Sequence, residues 1–373
     1  MEKNLLEIKD LTLNFYTYEG VVRALDRVNL EVKEGETLGL VGETGCGKSV
    51  TGFSILDLVP PPGYIEGGKV IFERKDKRYN LLDQKDSFLR TIRGKDISMI
   101  FQDPRSALNP VYTIGDQITE VLLLHRRVEF CKQVLSRKDL TRYERSLYMK
   151  MLKSPSSLTV RILSAIPILN RFKHKIEALA RAEAIKMFKT MRIPDPERFL
   201  RSYPHELSGG MAQRAVIGIA LACGPKILLA DEPTTNLDVT IQLQILNLIK
   251  ELKKDFHSSI IYVTHDMGVI AEVCDRVAVM YAGNVVEVAD VFELFKNPLH
   301  PYTKALLESI PRAGHSFKSI EGTVPSLINP PGGCRFHDRC PYAMEVCIRV
   351  KPTLVELKEG HFVHCHLYSK GSE

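Results

Sequence analysis

Three groups of residues in this chain have types and spacings that chemistry requires. The stretch "GETGCGKSVTG" places Gly42, Gly45, Gly47, Lys48 and Ser49 in the pattern G-x-x-x-x-G-K-[ST], directly after the apolar run "TLGLVG". Glycines let successive backbone N–H groups curl around phosphate oxygens, and a helix opening at the end of the loop adds a favourable dipole. Lys48 would supply positive charge to the β- and γ-phosphates, and the Ser49 hydroxyl can ligate Mg²⁺. Glu43, Thr44, Cys46 and Val50 complete the stretch expected to surround the nucleotide. The second group is Asp231 and Glu232, which end the run "KILLADEPT". Asp231 is expected to hold Mg²⁺, directly or through water, and Glu232 to act as general base on an attacking water. The third group is Cys334, Cys340, Cys347 and Cys365, for which disulfides, a metal site and clustering of buried thiols each remain open.

The elements that must position these groups lie beside them. A buried strand has to deliver Gly42, a helix has to begin at Lys48, and a second buried strand has to carry the two acids to its C-terminal end, where ligands sit in open α/β sheets. At 373 residues the chain can bury a large core and is expected to divide into a main domain and a smaller one. Apolar residues make up 44% and charged residues 26%, the usual range of a soluble globular protein. No apolar run reaches the ~18 residues that span a bilayer; in "VIGIALACGPKILLA", Gly224, Pro225 and Lys226 interrupt it. The opening "MEKNLLEIKD" lacks the charged-then-apolar pattern of a secretory signal. A cytoplasmic location follows as the expectation, and reduced thiols there weigh against disulfides. Between Arg126 and Ile176 stand 13 Lys or Arg and 3 Asp or Glu; that local +10 within a total of +6 leaves the remainder at −4.

The stretch "SYPHELSGGMAQR" decides between classes. Leu207, Ser208, Gly209, Gly210 and Met211 resemble the LSGGQ signature of ATP-binding-cassette ATPases, with Met in place of the usual Gln. Ser-Gly-Gly also arises as an ordinary helix cap, but a cap would not predict its neighbours. Gln102 in "MIFQDP" matches the family's Q-loop, "TTNLD" its D-loop and His265 in "IIYVTHD" its switch histidine. The resemblance implies an α/β fold: a RecA-like P-loop ATPase core with an antiparallel β subdomain, a helical signature subdomain and a small Cys-rich C-terminal region. Residues 1–290 would form the nucleotide-binding domain, with the helical subdomain at about 103–225 and a basic insertion at about 126–175. Residues 291–373 would form the C-terminal region.

The same resemblance implies that two ATPase domains sandwich ATP, each ATP lying between one domain's phosphate loop and the other's signature. Ser208 and Gly210 would then contact a γ-phosphate held by the partner, Gln102 would join Ser49 and Asp231 around Mg²⁺, and His265 would contact the γ-phosphate in cis while positioning Glu232. Phe15, Tyr16 and Tyr18 compete for the aromatic that stacks on adenine, with Tyr16 taken as the candidate. The stretches "FQDPRSALNPVYTIGDQITEVLL", "NPLHPYTKALLESIP" and "GTVPSLINPPGGCRFHDRCPYAMEVC" resemble the dipeptide/oligopeptide importer ATPases. Implied partners are a second, related ATPase subunit, two permease subunits and, indirectly, an extracytoplasmic binding protein, at the cytoplasmic face of the membrane. Di- or oligopeptides are the implied cargo, with oligosaccharides or nickel as alternatives. A cassette ATPase acting on nucleic acid or ribosomes is the alternative class, although no nucleic-acid recognition motif accompanies the basic segment.

Within the importer family the pattern Cys334-x5-Cys340-x6-Cys347-x17-Cys365 implies a [4Fe–4S] cluster, with zinc the alternative. Its expected role is to stabilise a segment that Pro325, Pro330, Pro331, Gly332 and Gly333 leave with little regular structure. The basic insertion, with its apolar run "LTVRILSAIPIL", reads as a helical extension of the signature subdomain or as a surface for anionic lipid or permease. Cys46, inside the loop, is expected to let an alkylating reagent block ATP binding. Cys131, Cys223 and Cys274 read as ordinary thiols, and His205 as a packing residue.

Overall fold

The computed structural model describes residues 3–137, 140–153, 171–235, 237–310 and 320–369. They cluster into two compact units, the first made of Met1–Arg90, Ile227–Glu232 and Lys250–Glu373, the second of Thr91–Lys226 and Pro233–Ile249. The described strands are β1 (Asn4–Thr17), β2 (Gly20–Lys33), β3 (Thr37–Val41), β4 (Gly63–Arg74), β5 (Lys77–Asn80), β6 (Ile97–Ile100), β7 (Ile227–Asp231), β8 (Ser259–Thr264), β9 (Arg276–Tyr281), β10 (Asn284–Asp290), β11 (Leu354–Lys358) and β12 (His361–His364). All but β6 belong to the first unit.

That unit contains an antiparallel sheet in the order β2-β1-β4-β5. Leu6, Ile8, Leu11 and Leu13 of β1 are all buried. Strict alternation would turn Leu11 away from the face of Ile8, and register shifts between Ile8 and Leu13 restore it to the core. The unit's second sheet runs β11-β12-β10-β9-β3-β8-β7. Here β3 lies parallel to both β8 and β9, and β8 parallel to β7. Every residue of β3, β7 and β8 is buried, so these strands read as unbroken apolar runs, as parallel strands covered on both faces do.

The C-terminal segment joins this sheet through β12, which pairs antiparallel with β10. Glu287 of β10 is fully buried. Its carboxylate accepts the backbone N–H groups of Leu299 and His300 at 2.8 Å each, and His361 Nε2 lies 2.8 Å from Oε1. A buried acid with three such partners pins the segment where an unpaired one would be costly. Residues 320–336 form neither helix nor strand, as their prolines and glycines led one to expect. Regular structure returns with a helix at Glu345–Arg349 and with β11 and β12.

The second unit is mainly helical, with helices Ile114–Leu135, Arg142–Lys153, Arg171–Thr190, Pro196–Arg201 and Gly209–Leu221. A capping box opens the longest of these: Thr113 Oγ1 accepts from Asp116 N at 3.1 Å, and Asp116 Oδ2 accepts from Thr113 N at 3.2 Å. Phe130, Cys131, Val134, Leu147, Tyr148, Ile176, Ala180, Ala184 and Phe188 are buried within the unit. The described portions of the basic insertion are therefore part of this helical packing, whereas "LTVRILSAIPIL" lies outside the described residues. Among the described residues no helix is long and apolar enough to cross a membrane.

Two helices of the insertion are tied by Lys175 Nζ and Glu144 Oε1 at 2.8 Å, and Glu144 also accepts from Thr141 N at 3.0 Å. The Lys175 ammonium, helped by Thr141, holds the Glu144 carboxyl down to about 2. A carboxylate lowered in the folded state contributes stability above its unfolded value of 4.5 and loses it as pH falls through about 2. Glu144→Gln should cost about 0.5–1 kcal/mol at neutral pH, the range of a partly exposed pair. Thermal unfolding at several pH values should show the gap to the parent narrowing below about pH 4.5; a gap constant down to pH 3.5 would contradict the pairing.

Candidate active site

Strand register brings the reactive residues of the first unit to one edge. Val41 pairs with Thr264 and Asp231 with Val263, so the loop after β3, Glu232 after β7 and His265 after β8 all leave the sheet at its carboxyl end. Gly42 has φ +152°, and a Cβ there would lie 2.1 Å from the Met280 carbonyl oxygen, so no side chain fits. Gly47, at φ +104°, caps the helix Lys48–Ile55. Lys48 is buried and its Nζ donates to the carbonyls of Gly42 at 2.8 Å and Glu43 at 3.0 Å. The ammonium is thereby aimed back over the loop rather than out to solvent.

Ser49 Oγ donates to Asp231 Oδ1 at 2.9 Å. Asp231 is 4% exposed. Burial pushes its carboxyl up; the Ser49 hydroxyl opposes this, the Glu232 charge adds to it, and Lys48 opposes it. Such an acid gains from a nearby divalent cation, and two hard oxygens fit Mg²⁺. Glu232 adopts φ +44°, a left-handed conformation that costs a non-glycine residue of order 1–3 kcal/mol. It is held there by its backbone N–H, which donates to Val263 O at 3.0 Å. Its Oε1 lies 3.1 Å from His265 Nδ1. The next residue, Asp266, caps the helix Met267–Val273 through Gly268 N at 2.8 Å and Val269 N at 3.3 Å, which fixes the turn that presents His265.

In the second unit Ser208 Oγ accepts from Met211 N at 3.4 Å and caps the helix Gly209–Leu221. A Cβ on Gly210 would lie 2.9 Å from Ile241 Cγ2, so the signature glycine permits close helix packing as well. Gln102 follows β6 and is exposed. Asn236, within the D-loop stretch, lies outside the described residues.

Several expectations are refined. Cys46 is only 1% exposed and its thiol is pushed up by burial, against the pull of Lys48, so it is a poor target for alkylation. Tyr16 is 47% exposed, its hydroxyl donates to Glu66 Oε1 at 2.6 Å and its ring meets Tyr64 edge-on at 5.9 Å. His205, read as a packing residue, is exposed and stacks on Tyr203 at 5.6 Å. Cys131 and Cys274 are buried. Sequence reading treated Glu43 only as a member of the loop. The structure gives its N–H to Tyr302 Oη at 2.8 Å and its carboxylate to Arg339, two residues to which no spacing pointed.

The four C-terminal cysteines were expected to hold a [4Fe–4S] cluster or zinc. Among the described residues no three His, Cys, Asp or Glu side chains are gathered to hold a metal ion, so neither the cluster nor zinc finds support there. Burial above all pushes the Cys334 thiol up to about 11, with Cys347, Cys365 and Cys340 contributing in the same direction.

A glycine loop cradling a buried lysine, a serine on a strand-end aspartate and a glutamate against a histidine define a P-loop ATPase. Residues 25–235 match the family described as ABC transporter, and residues 286–347 match the oligopeptide/dipeptide transporter C-terminal region. The chain is 43% identical to the dipeptide transport ATP-binding protein DppD of Bacillus subtilis over 377 residues, covering 100% of this chain and 97% of that one. It is 42% identical to the oligopeptide transport ATP-binding protein OppD of the same organism over 364 residues, covering 96% and 87%. A solved dimeric post-hydrolysis state of the ATP-binding cassette MJ0796, bound to ADP and Pi, is similar with TM-score 0.53 and 26% identity, covering 77% of this chain and 98% of that one. The chain belongs to the ABC transporter family, among the oligopeptide/dipeptide transport ATP-binding proteins. Nothing in these likenesses supports the nucleic-acid alternative.

Proposed function

We propose that this chain is the ATP-hydrolysing subunit that drives import of di- or oligopeptides, acting at the cytoplasmic face of the membrane beside a second cassette ATPase and beneath two permease subunits. The observation that carries this reading is the Ser49–Asp231 contact at 2.9 Å, with Glu232 following in the chain and set 3.1 Å from His265. The relatives named for dipeptide and oligopeptide transport favour peptides over nickel or oligosaccharides as cargo.

The residue roles follow from chemistry. The glycine-loop N–H groups and Lys48 bind the β- and γ-phosphates, and the helix that starts at Lys48 adds its dipole. Ser49, Asp231 and Gln102 would hold Mg²⁺, which when bound neutralises charge on the β- and γ-oxygens. Glu232 accepts the proton of the attacking water, and His265 fixes the carboxylate that receives it. Ser208 and Gly210, at a helix N-terminus, would meet the γ-phosphate on a partner's loop, so hydrolysis needs two cassettes. Tyr16 remains the proposed adenine contact. Residues 1–290 carry the motor, with the signature subdomain at about 103–225, and residues 291–373 the importer-type tail.

Glu232→Gln should retain ATP binding while lowering hydrolysis on the order of 10²–10⁴-fold; near-normal turnover would remove Glu232 from the role of base. Affinity purification of the tagged chain from solubilised membranes tests the assembly. Two multi-spanning permeases and a second cassette ATPase are expected, and ribosomal or DNA-associated partners would refute the importer reading.

The cysteine tail is proposed to hold a [4Fe–4S] cluster. Four thiolates are the ligand set such a cluster takes, whereas the tight C-x2-C pairs usual for zinc are missing from Cys334-x5-Cys340-x6-Cys347-x17-Cys365. Anaerobic purification followed by iron, sulfide and zinc assays should find iron and sulfide near four per chain, the complement of a cubane bound by four thiolates. Stoichiometric zinc without iron would reject the cluster.

A further inference from the structure

The second residue of the phosphate loop is gripped from the far end of the chain. Three parts of Glu43 are engaged. Its N–H donates to Tyr302 Oη at 2.8 Å, its carbonyl accepts from Lys48 Nζ at 3.0 Å, and its carboxylate faces the Arg339 fork. Arg339 Nη1 donates to Oε2 at 2.8 Å and Nη2 to Oε1 at 3.1 Å, a two-bonded pair across 296 residues of sequence. Bidentate pairs of this kind fix direction as well as distance. The Arg339 side chain is 4% exposed, against 28% for Glu43.

Arg339 is itself held on every side. Its Nε donates to Glu321 O at 2.8 Å, Nη1 to Tyr281 Oη at 3.2 Å and Nη2 to Ile320 O at 3.3 Å. The guanidinium lies 5.7 Å from the Tyr281 ring centroid and 5.9 Å from that of Phe336. Tyr302 packs on Tyr281 at 4.6 Å and on Phe336 at 5.4 Å. The cation is fixed before it meets Glu43, so it orients the carboxylate instead of following it.

The loop receives a polyanion, and an unpaired carboxylate within it would repel the incoming phosphates. Displacing Glu43 would also disturb Lys48, which shares its carbonyl. We infer that Arg339 is a positioning residue for nucleotide binding: it neutralises and orients Glu43, so that ATP affinity depends on the segment around Cys334–Cys340. Arg339 touches no reacting atom, and its effect should fall on affinity more than on the chemical step.

The test uses the intact chain and equilibrium binding of Mg-ATP. Arg339→Ala should weaken binding about tenfold, the scale of one charge-assisted pair. Adding Glu43→Gln to it removes the unpaired charge, and the double variant should return to within about twofold of the native chain. In the assembled transporter, Arg339→Ala should raise KM for ATP by a similar factor and change kcat less. Binding within about twofold of native for Arg339→Ala, or a double variant as weak as the single one, overturns the inference. If Arg339→Ala does not fold, Arg339→Lys keeps a cation without the fork and should bind ATP more weakly than the native chain. Equal affinity there would equally overturn it.

Discussion

The hydrogen bond from Ser49 to Asp231 is the constraint on which the rest of the first unit depends. Residues 182 positions apart in sequence must meet within one hydrogen-bond length. Only the strand order β3-β8-β7, with Val41 opposite Thr264 and Asp231 opposite Val263, places both at one edge. A one-residue slip of β7 would turn Asp231 to the other face of the sheet. The fully buried faces of β3, β7 and β8 oppose that slip, because it would exchange close-packed apolar contacts for voids and clashes. Packing of inert residues thus sets the position of reactive ones. The strained backbone at Glu232 belongs to the same arrangement, since its N–H is tied to β8 through Val263 and its side chain to His265.

The C-terminal tail obeys a related rule by other means. It has few regular elements, yet three acids of the core hold it. Glu287 takes His361, Asp26 takes Arg335 at 2.9 Å and also Lys351, and Glu43 takes Arg339. Arg335 is almost fully buried, and burial lowers its affinity for a proton while Asp26 raises it. Buried pairs contribute little net stability but are costly to break, so their main effect is to allow a single seating of the tail. A segment located at three such acids needs no large apolar core of its own. That frees its cysteines from serving only as packing residues.

Much of this was legible in the sequence, for physical reasons. The glycine loop could be read because φ values near +80° to +150° demand glycine, and such a demand leaves a fixed spacing. Asp231 and Glu232 could be read because an apolar run that stops at two acids, weak evidence alone, becomes strong beside a phosphate loop. The signature helix showed itself through Ser208, an N-cap with two glycines behind it. The grip on Glu43 left no such trace, since Tyr302 and Arg339 meet the loop through tertiary packing and keep no interval with it. The burial of Cys46 was equally hidden: the motif specifies backbone conformation, while burial depends on the tertiary packing around the loop.

The two units divide the catalytic work unequally. The phosphate loop, Asp231, Glu232 and His265 stand in the first, rigidly set by a parallel sheet, whereas Ser208 and Gly210 stand at a helix end in the second. A sheet edge suits residues that must hold sub-ångström relations to one another, because strand register is all-or-none. A helix terminus suits residues that must arrive together at a charge, because its N–H groups and dipole point the same way. On the proposed function, the first unit binds and polarises the nucleotide with its own residues, while a signature presented by another cassette would stabilise the departing γ-phosphate. On that reading hydrolysis would be conditional on assembly, which is what a motor needs if ATP is to be used only when the transporter is ready to move.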